Sequence, residues 1–189
     1  AAEEIARILT HGTLDIWVTI PEGKRAEEVA EILKKSLPTY DPSWQNKLTA
    51  NEGYLFPATY LIPKEADINM VIAQMRDTFD KKYSQINPIS SKLTKNEIVI
   101  MASLIEREAI TDEERPIIAG ILTNRLNAGI ALEVDATVQY AKGENALTKK
   151  WWEPITIDDY KSVVSNYNTY LNTGLTPAPI SNPVLEALI

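Results

Sequence analysis

Thr94-Lys95-Asn96-Glu97-Ile98-Val99-Ile100-Met101-Ala102-Ser103-Leu104-Ile105-Glu106-Arg107-Glu108-Ala109 is the stretch on which the reading of this 189-residue chain turns. Its first four residues form a capping box, in which Thr94 at the N-cap and Glu97 at N3 satisfy each other's backbone N–H groups. With Ile98 at zero and about 100° per residue, Ile98, Ala102, Ile105 and Ala109 fall within about 40° of one line, and Met101 lies about 60° to one side. Val99, Ile100 and Leu104 lie well away from that line. A helix apolar nearly all round is buried. Its last turn nevertheless carries Glu106 at about +80° and Glu108 at about −80°, with Arg107 opposite the core line. Charged groups that end a buried helix are costly unless paired or used.

Two readings of the acids stand side by side. In one, Glu106 or Glu108 is a general acid, because partial burial raises a carboxyl pKa and keeps a proton available near neutral pH. In the other, both are structural and pair with arginines such as Arg115 or Arg125. The two acids flank the stripe symmetrically and do not face one narrow cleft, so helix geometry does not choose between them.

Working outward, Thr111-Asp112-Glu113-Glu114 is a second capping box that starts another helix, with Pro116 tolerated in its first turn. That helix carries Ile117, Ile118, Ile121, Leu122 and Leu126, and Gly129 is its expected stop. Beyond it, Asp135 followed by Thr137 reads as a cap, a buried anchor or a substrate contact. Tyr54, Tyr60, Tyr140, Tyr167, Tyr170, Trp151 and Trp152 are candidate stacking platforms for sugar rings, and equally ordinary core or interface aromatics. Asn168 and Thr169 have the chemistry to hydrogen-bond acetamido or hydroxyl groups.

The first third is built differently. Ala2-Glu3-Glu4-Ile5-Ala6-Arg7-Ile8-Leu9 is nearly repeated as Ala26-Glu27-Glu28-Val29-Ala30-Glu31-Ile32-Leu33, each an amphipathic helix with acids in its first turn. Between them Leu14 to Ile20 alternates as a strand, and Pro21-Glu22-Gly23 turns the chain. The echo is either a pattern common to two ordinary helices or a duplicated carbohydrate-binding module. Asn51 to Tyr60 reads as loop and strand docking on another element. Ile68 to Tyr83 reads as a connecting helix with Met70, Val71, Met75 and Phe79 on its core face.

Composition narrows the chemistry. Without cysteine, thiol catalysis, disulfides and Cys-ligated zinc are excluded. A single histidine, His11, argues against a Ser-His-Asp triad or a multi-His metal site, so no metal is expected. Against 26 acids stand 19 bases, a net charge of −7 with no basic patch, which argues against nucleic acid. Carboxylates, hydroxyls and amides are what remain. No apolar run approaches the roughly 18 residues of a membrane span. The start lacks an initiator Met and a signal peptide, and Asn182 to Ile189 reads as a helix cut off as it begins. The chain is therefore expected to be an excised piece of a longer protein, with any anchor outside it.

Five blocks then fall in order: Glu52-Gly53-Tyr54-Leu55-Phe56-Pro57-Ala58-Thr59-Tyr60, Met101 to Ala109, Asn124-Arg125-Leu126-Asn127-Ala128-Gly129, Asp135-Ala136-Thr137-Val138-Gln139-Tyr140, and Tyr167-Asn168-Thr169-Tyr170 through Gly174-Leu175. Together they resemble the endolytic murein transglycosylase, or YceG-like, family. Ala58 stands where that family usually has an acid, and Thr176-Pro177-Ala178-Pro179 replaces its Pro-Pro-Gly-Pro style loop.

The resemblance implies an α+β fold, a small LysM-like helix–strand module over 1–36, a connecting segment and helix over 37–92, and a mainly helical catalytic domain with short strands over 93–189, truncated at its end. It implies a cofactor-free lyase on the extracytoplasmic face of the bacterial cytoplasmic membrane. That enzyme cuts peptidoglycan glycan strands internally, between N-acetylmuramic acid and N-acetylglucosamine, leaving 1,6-anhydromuramic ends. Cell-wall synthesis machinery is a candidate partner. The family's catalytic glutamate falls on Glu108; Glu106, Tyr54, Arg125, Asp135, Thr137, Tyr140, Tyr167, Asn168, Thr169 and Tyr170 become expected substrate contacts. The rivals are a non-catalytic peptidoglycan-binding scaffold, a hydrolase that admits water, and a pyridoxal-phosphate lyase. The last lacks a glycine-rich phosphate loop.

Overall fold

The computed structural model describes residues 15–86 and 92–188. The expected helix over Ala2–Leu9, Leu14 and His11 lie outside them. The alternation of Ile16, Val18 and Ile20 with Trp17 and Thr19 makes β1, Asp15–Thr19, which pairs antiparallel with β2, Thr59–Pro63, in the register Asp15↔Pro63 to Thr19↔Thr59. Val18 and Ile20 point inward at 1% exposure, while Trp17 on the other face is 69% exposed. Between the strands run α1, Ala26–Ser36, and α2, Trp44–Thr49. Residues of this β–α–α–β unit (Val18, Val29, Leu33, Trp44, Leu48, Leu55, Ile62) share one core with Val71 and Met75.

Those last two belong to α3, Ile68–Tyr83, whose N-cap Asp67 accepts a bond from the Met70 backbone N–H at 2.9 Å. Four residues further along the same face, Phe79 belongs to a second core with Val99, Met101, Leu104, Ile105, Leu122, Leu132 and Ile180. The helix is thus a strut whose single stripe serves both cores. Met70 is not on that stripe but about half exposed, because it stands about 140° away from Met75 around the helix. Stretch 37–92 therefore does not pack apart: its first half completes the small core and its end enters the large one.

The second core is built round α4, Lys95–Glu108, opened by the Thr94/Glu97 capping box. Val99 through Ile105 are all buried, as an all-round apolar sequence requires. The second capping box opens a 3-10 turn, Asp112–Glu114, that leads into α5, Arg115–Asn127, with Pro116 in its first turn. Only Leu122 of α5 is fully buried; Ile117 and Ile121 are 63% and 52% exposed. After Gly129 at φ +66 come α6, Asp135–Lys142, and the short α7, Asp159–Ser162. The chain closes across α4 with a 3-10 turn, Leu185–Ala187. Among the described residues no helix is long and apolar enough to cross a membrane.

Where the two cores meet, Gly53 holds φ +84, and a Cβ there would lie 2.5 Å from Pro179 Cγ and 2.8 Å from Val99 Cγ1. Gly174 has a similar φ of +87 but open space around it. Gly53→Ala therefore adds overpacking to backbone strain and should cost about 3 kcal/mol or more, whereas Gly174→Ala carries strain alone at about 1–2 kcal/mol. Urea unfolding midpoints of the two variants check the order.

Candidate active site

The site is the C-terminal turn of α4, where three consecutive charged side chains are partly buried. They go to three different neighbours. Glu106 turns toward α5, takes a 2.7 Å salt bridge from Arg115 Nη1 and a 3.4 Å bond from the Val184 backbone N–H, and keeps its side chain only 5% exposed. Burial still raises its pKa above the usual carboxylate range, although Arg115 pulls the other way. A groove of about 520 Å³ lined by Ile105, Asp112, Arg115, Pro116 and Ala119 borders this side of the helix. Glu106 is an anchor between helices, as the structural reading of the acids required.

Glu108 turns toward the start of α6. The Ala136 backbone N–H faces its carboxylate and favours the ionised form, and no salt bridge joins it to a cation among the described residues. Burial, then the negative charge of Asp135, push its pKa up; the Ala136 N–H and Arg107 oppose them without prevailing. The outcome is a half-buried carboxyl that holds a proton more tightly than an exposed one, next to a helix N-terminus that tolerates the ionised form. That combination suits a group that must first donate and then recover a proton.

The loop before α6 is fixed by groups that the sequence suggested as ligands. Arg125 Nη1 donates to the carbonyls of Ala131 and Leu132 at 2.9 and 3.1 Å and to Glu133 at 2.6 Å. Thr137 is fully buried, with its hydroxyl on Val134 O at 2.6 Å and against Thr169 Oγ1 at 2.9 Å; Thr169 Oγ1 also accepts from the Val134 N–H. The Asn168 amide is buried too, donating to the carbonyls of Tyr160 and Val163 and accepting from the Tyr170 N–H. The structure thus places Arg125, Thr137, Asn168 and Thr169 in the frame that sets α6 against Glu108.

Asp135 and Tyr170 stay at the surface, joined by a 2.5 Å bond from the tyrosine hydroxyl, with Tyr170 stacked on Tyr160 at 4.1 Å. One turn along α6 from Ala136, Tyr140 packs on Tyr167 at 4.9 Å and on Trp152 at 6.4 Å. Through Trp152, which Arg107 overlies, Tyr140 and Tyr167 adjoin the end of α4 that bears Glu108. Tyr54 does not: its hydroxyl bonds Asn96 at the opposite end of α4, and 108 − 96 = 12 residues of helix separate that point from Glu108 by about 18 Å. The two tryptophans turn their N–H groups to α1, Trp151 to Glu31 at 3.0 Å and Trp152 to Glu28 at 2.7 Å.

Sequence reasoning passed over Glu52, Arg25 and Asn182. Glu52 is 5% exposed, bonded by the Ala26 backbone N–H at 2.9 Å and Asn182 Nδ2 at 3.1 Å, and burial pushes its pKa up to about 8. Arg25 lies 4.0 Å over Tyr140 and 4.7 Å over Trp151, while its Nη1 donates to Tyr140 O. The one available signal was an acid beside a glycine in the apolar run Glu52 to Pro57; nothing local marked Asn182.

The model of the YceG-like family matches residues 1–189. The chain belongs to the YceG-like family. Over 158 residues it is 39% identical to a protein of Streptococcus pneumoniae serotype 2 named endolytic murein transglycosylase, covering 82% of this chain and 28% of that one. A Bacillus subtilis protein of the same name is 38% identical over 160 residues, covering 79% of this chain and 41% of the relative. The YceG-like chain therefore spans well under half the length of either. A 2.6 Å crystal structure of a yceG-like protein from Listeria monocytogenes superposes on all of this chain and 70% of its own, with a TM-score of 0.77 and 27% identity. The α+β arrangement described above is thus a fold seen in that family.

Two outcomes follow from the buried acids. Arg115→Met leaves Glu106 without its cation and should destabilise by about 3 kcal/mol or more at neutral pH. The loss should shrink as the pH falls, because burial raises the proton affinity of Glu106 and the neutral acid does not need the cation; chemical denaturation at neutral and acidic pH checks this. For Glu52 the folded pKa lies above the unfolded one, so its stabilising effect is complete below about pH 4.5 and is lost as pH rises toward 8. Glu52→Gln should lower Tm by several degrees at pH 5, because its amide meets donors at both positions, and should flatten the fall of Tm between pH 5 and 8.5.

Proposed function

We propose that this chain carries the reacting acid of a peptidoglycan lytic transglycosylase, with Glu108 as its single general acid and base. One observation carries the choice of Glu108: of the two acids in the last turn of α4, both with raised proton affinity, Glu106 is held in a salt bridge by Arg115, while Glu108 faces the N-terminus of α6 with no ion pair among the described residues. The names of the streptococcal and bacillar relatives supply the substrate class.

In this reading, protonated Glu108 donates to the glycosidic oxygen between N-acetylmuramic acid and N-acetylglucosamine as the C1–O bond breaks. The carboxylate then takes the proton from the muramic C6 hydroxyl as that oxygen closes on C1. The products are a 1,6-anhydromuramic end and a free 4-hydroxyl on the departing sugar; no water is consumed, and Glu108 ends as it began. One carboxylate is enough because the nucleophile comes from the substrate, in contrast to the carboxylate pair of ordinary glycosidases. Tyr140, Tyr167, Trp152 and the Asp135–Tyr170 pair are the groups available to orient sugar rings beside the acid. We read the module over 1–36, of which β1 and α1 are described, as the LysM-like portion and assign the whole to the extracytoplasmic face of the membrane, where glycan strands lie.

The test is mass spectrometry of products from purified glycan strands, using the full-length protein and its Glu108→Gln variant. The wild type should release internal fragments with anhydro ends, and the variant should fall by about 10³-fold or more. Reducing ends would mean a hydrolase, release of nothing by the wild type would mean a scaffold, and full activity of Glu108→Gln would remove Glu108 from the mechanism.

A further inference from the structure

Between the two acids of α4 stands Arg107, which the proposed chemistry does not use. Its guanidinium carbon lies 3.9 Å over the Trp152 ring, a stacked cation–π contact. Nη1 donates to Gly23 O at 3.4 Å, and Nε is buried with no hydrogen-bond partner. Trp152 in turn donates to Glu28 Oε2 at 2.7 Å, and Lys24 Nζ holds the other Glu28 oxygen at 2.6 Å. A continuous path therefore runs from the α1 end of the small unit (Gly23, Lys24, Glu28) through Trp152 to the residue beside Glu108. Burial lowers the affinity of Arg107 for its proton, and the charges that face it, Glu28 from α1 and Glu106 and Glu108 from α4, oppose that. Each interaction is modest alone. The planar stack and the carbonyl contact together leave the side chain one orientation, and a helix end cannot rotate Glu108 without moving Arg107.

We propose that Arg107 is a positioning residue for Glu108, through which docking of the small unit sets the orientation of the reacting acid. The inference rests on Glu108 being that acid. Around Glu108 the charged and polar groups are Arg107 on its own helix and Asp135 with the Ala136 N–H on α6. Arg107 is the cation among them, and it favours the ionised carboxylate. Removing its charge must raise the proton affinity of Glu108. Because the first step needs the protonated acid, the alkaline limb of kcat then moves to higher pH.

The experiment is a pH profile of kcat and KM for the full-length protein on purified glycan strands, with Arg107→Met, Arg107→Lys and Glu108→Gln in parallel. Arg107→Met should move the alkaline limb to higher pH and lower kcat at the optimum by about tenfold, with KM within about twofold. Arg107→Lys retains the charge but not the planar stack, so it should keep the limb in place while losing a similar share of kcat. An unmoved limb in Arg107→Met, or a rise confined to KM, overturns the proposal while leaving Glu108 in its role if Glu108→Gln is inactive. Full activity of Glu108→Gln removes both. Should Arg107→Met fail to fold, equal limbs in Arg107→Lys and wild type with equal kcat would overturn it as well.

Discussion

The amide of Asn182 is the constraint on which the junction of the two cores depends. It is fully buried, and all four of its hydrogen-bonding positions are used: Oδ1 accepts from the N–H groups of Gly53 and Leu55, and Nδ2 donates to Lys24 O and Glu52 Oε1. Its backbone adds two more bonds, to Gly23 and Lys24. An aspartate would offer no donors, a serine too few groups, and a glutamine the right groups at the wrong length. Three segments distant in sequence are thereby set in one geometry. Next to it, Ile180 and Ser181 bond Ser103 in the middle of α4, so the junction also fixes the helix that bears the acids.

The end of that helix resolves an electrostatic conflict. Negative side chains are unfavourable at a helix C-terminus, and burial makes them more so. Glu106 is relieved by an arginine from the next helix, Glu108 by the N-terminus of another, and Arg107 between them by an aromatic face and a carbonyl. An arginine bound at 2.7 Å makes a stable joint, whereas a backbone N–H leaves the carboxyl free to exchange its proton. The raised proton affinity of Glu108 is therefore a product of packing, with Arg125, Thr137 and Thr169 holding α6 where its N-terminus meets the acid.

What could be read from the sequence were the local features. The Thr94/Glu97 box and the apolar periodicity of Ile68–Tyr83 are encoded within a few residues, and those helices stand where the pattern puts them. Met70 was misplaced on the core face, and Ile117 and Ile121 remain largely exposed, because apolar character does not say what lies opposite a helix. The site divided along the same boundary. That Glu106 and Glu108 were the acids to consider followed from a buried helix ending in charge. Which was anchored depended on the approach of Arg115 and of Ala136, and that Tyr54 sat at the far end of α4 depended on the docking of its loop. Glu52 and Asn182 were silent because every partner that defines them is remote in sequence or a backbone group.

The remoteness of those partners has a kinetic side. The Asn182 side chain bonds residues 127, 129, 130 and 158 positions earlier in the chain. Contacts of such separation close late and slow folding, since the intervening chain must be ordered first. During synthesis the small unit emerges from the ribosome long before residue 182 does. Until then the Gly53 and Leu55 N–H groups and one oxygen of Glu52 lack the partner that Asn182 supplies. Completion of the junction, and with it the placement of the helix that bears Glu106 and Glu108, is tied to the arrival of Asn182 and its neighbours Ile180 and Ser181.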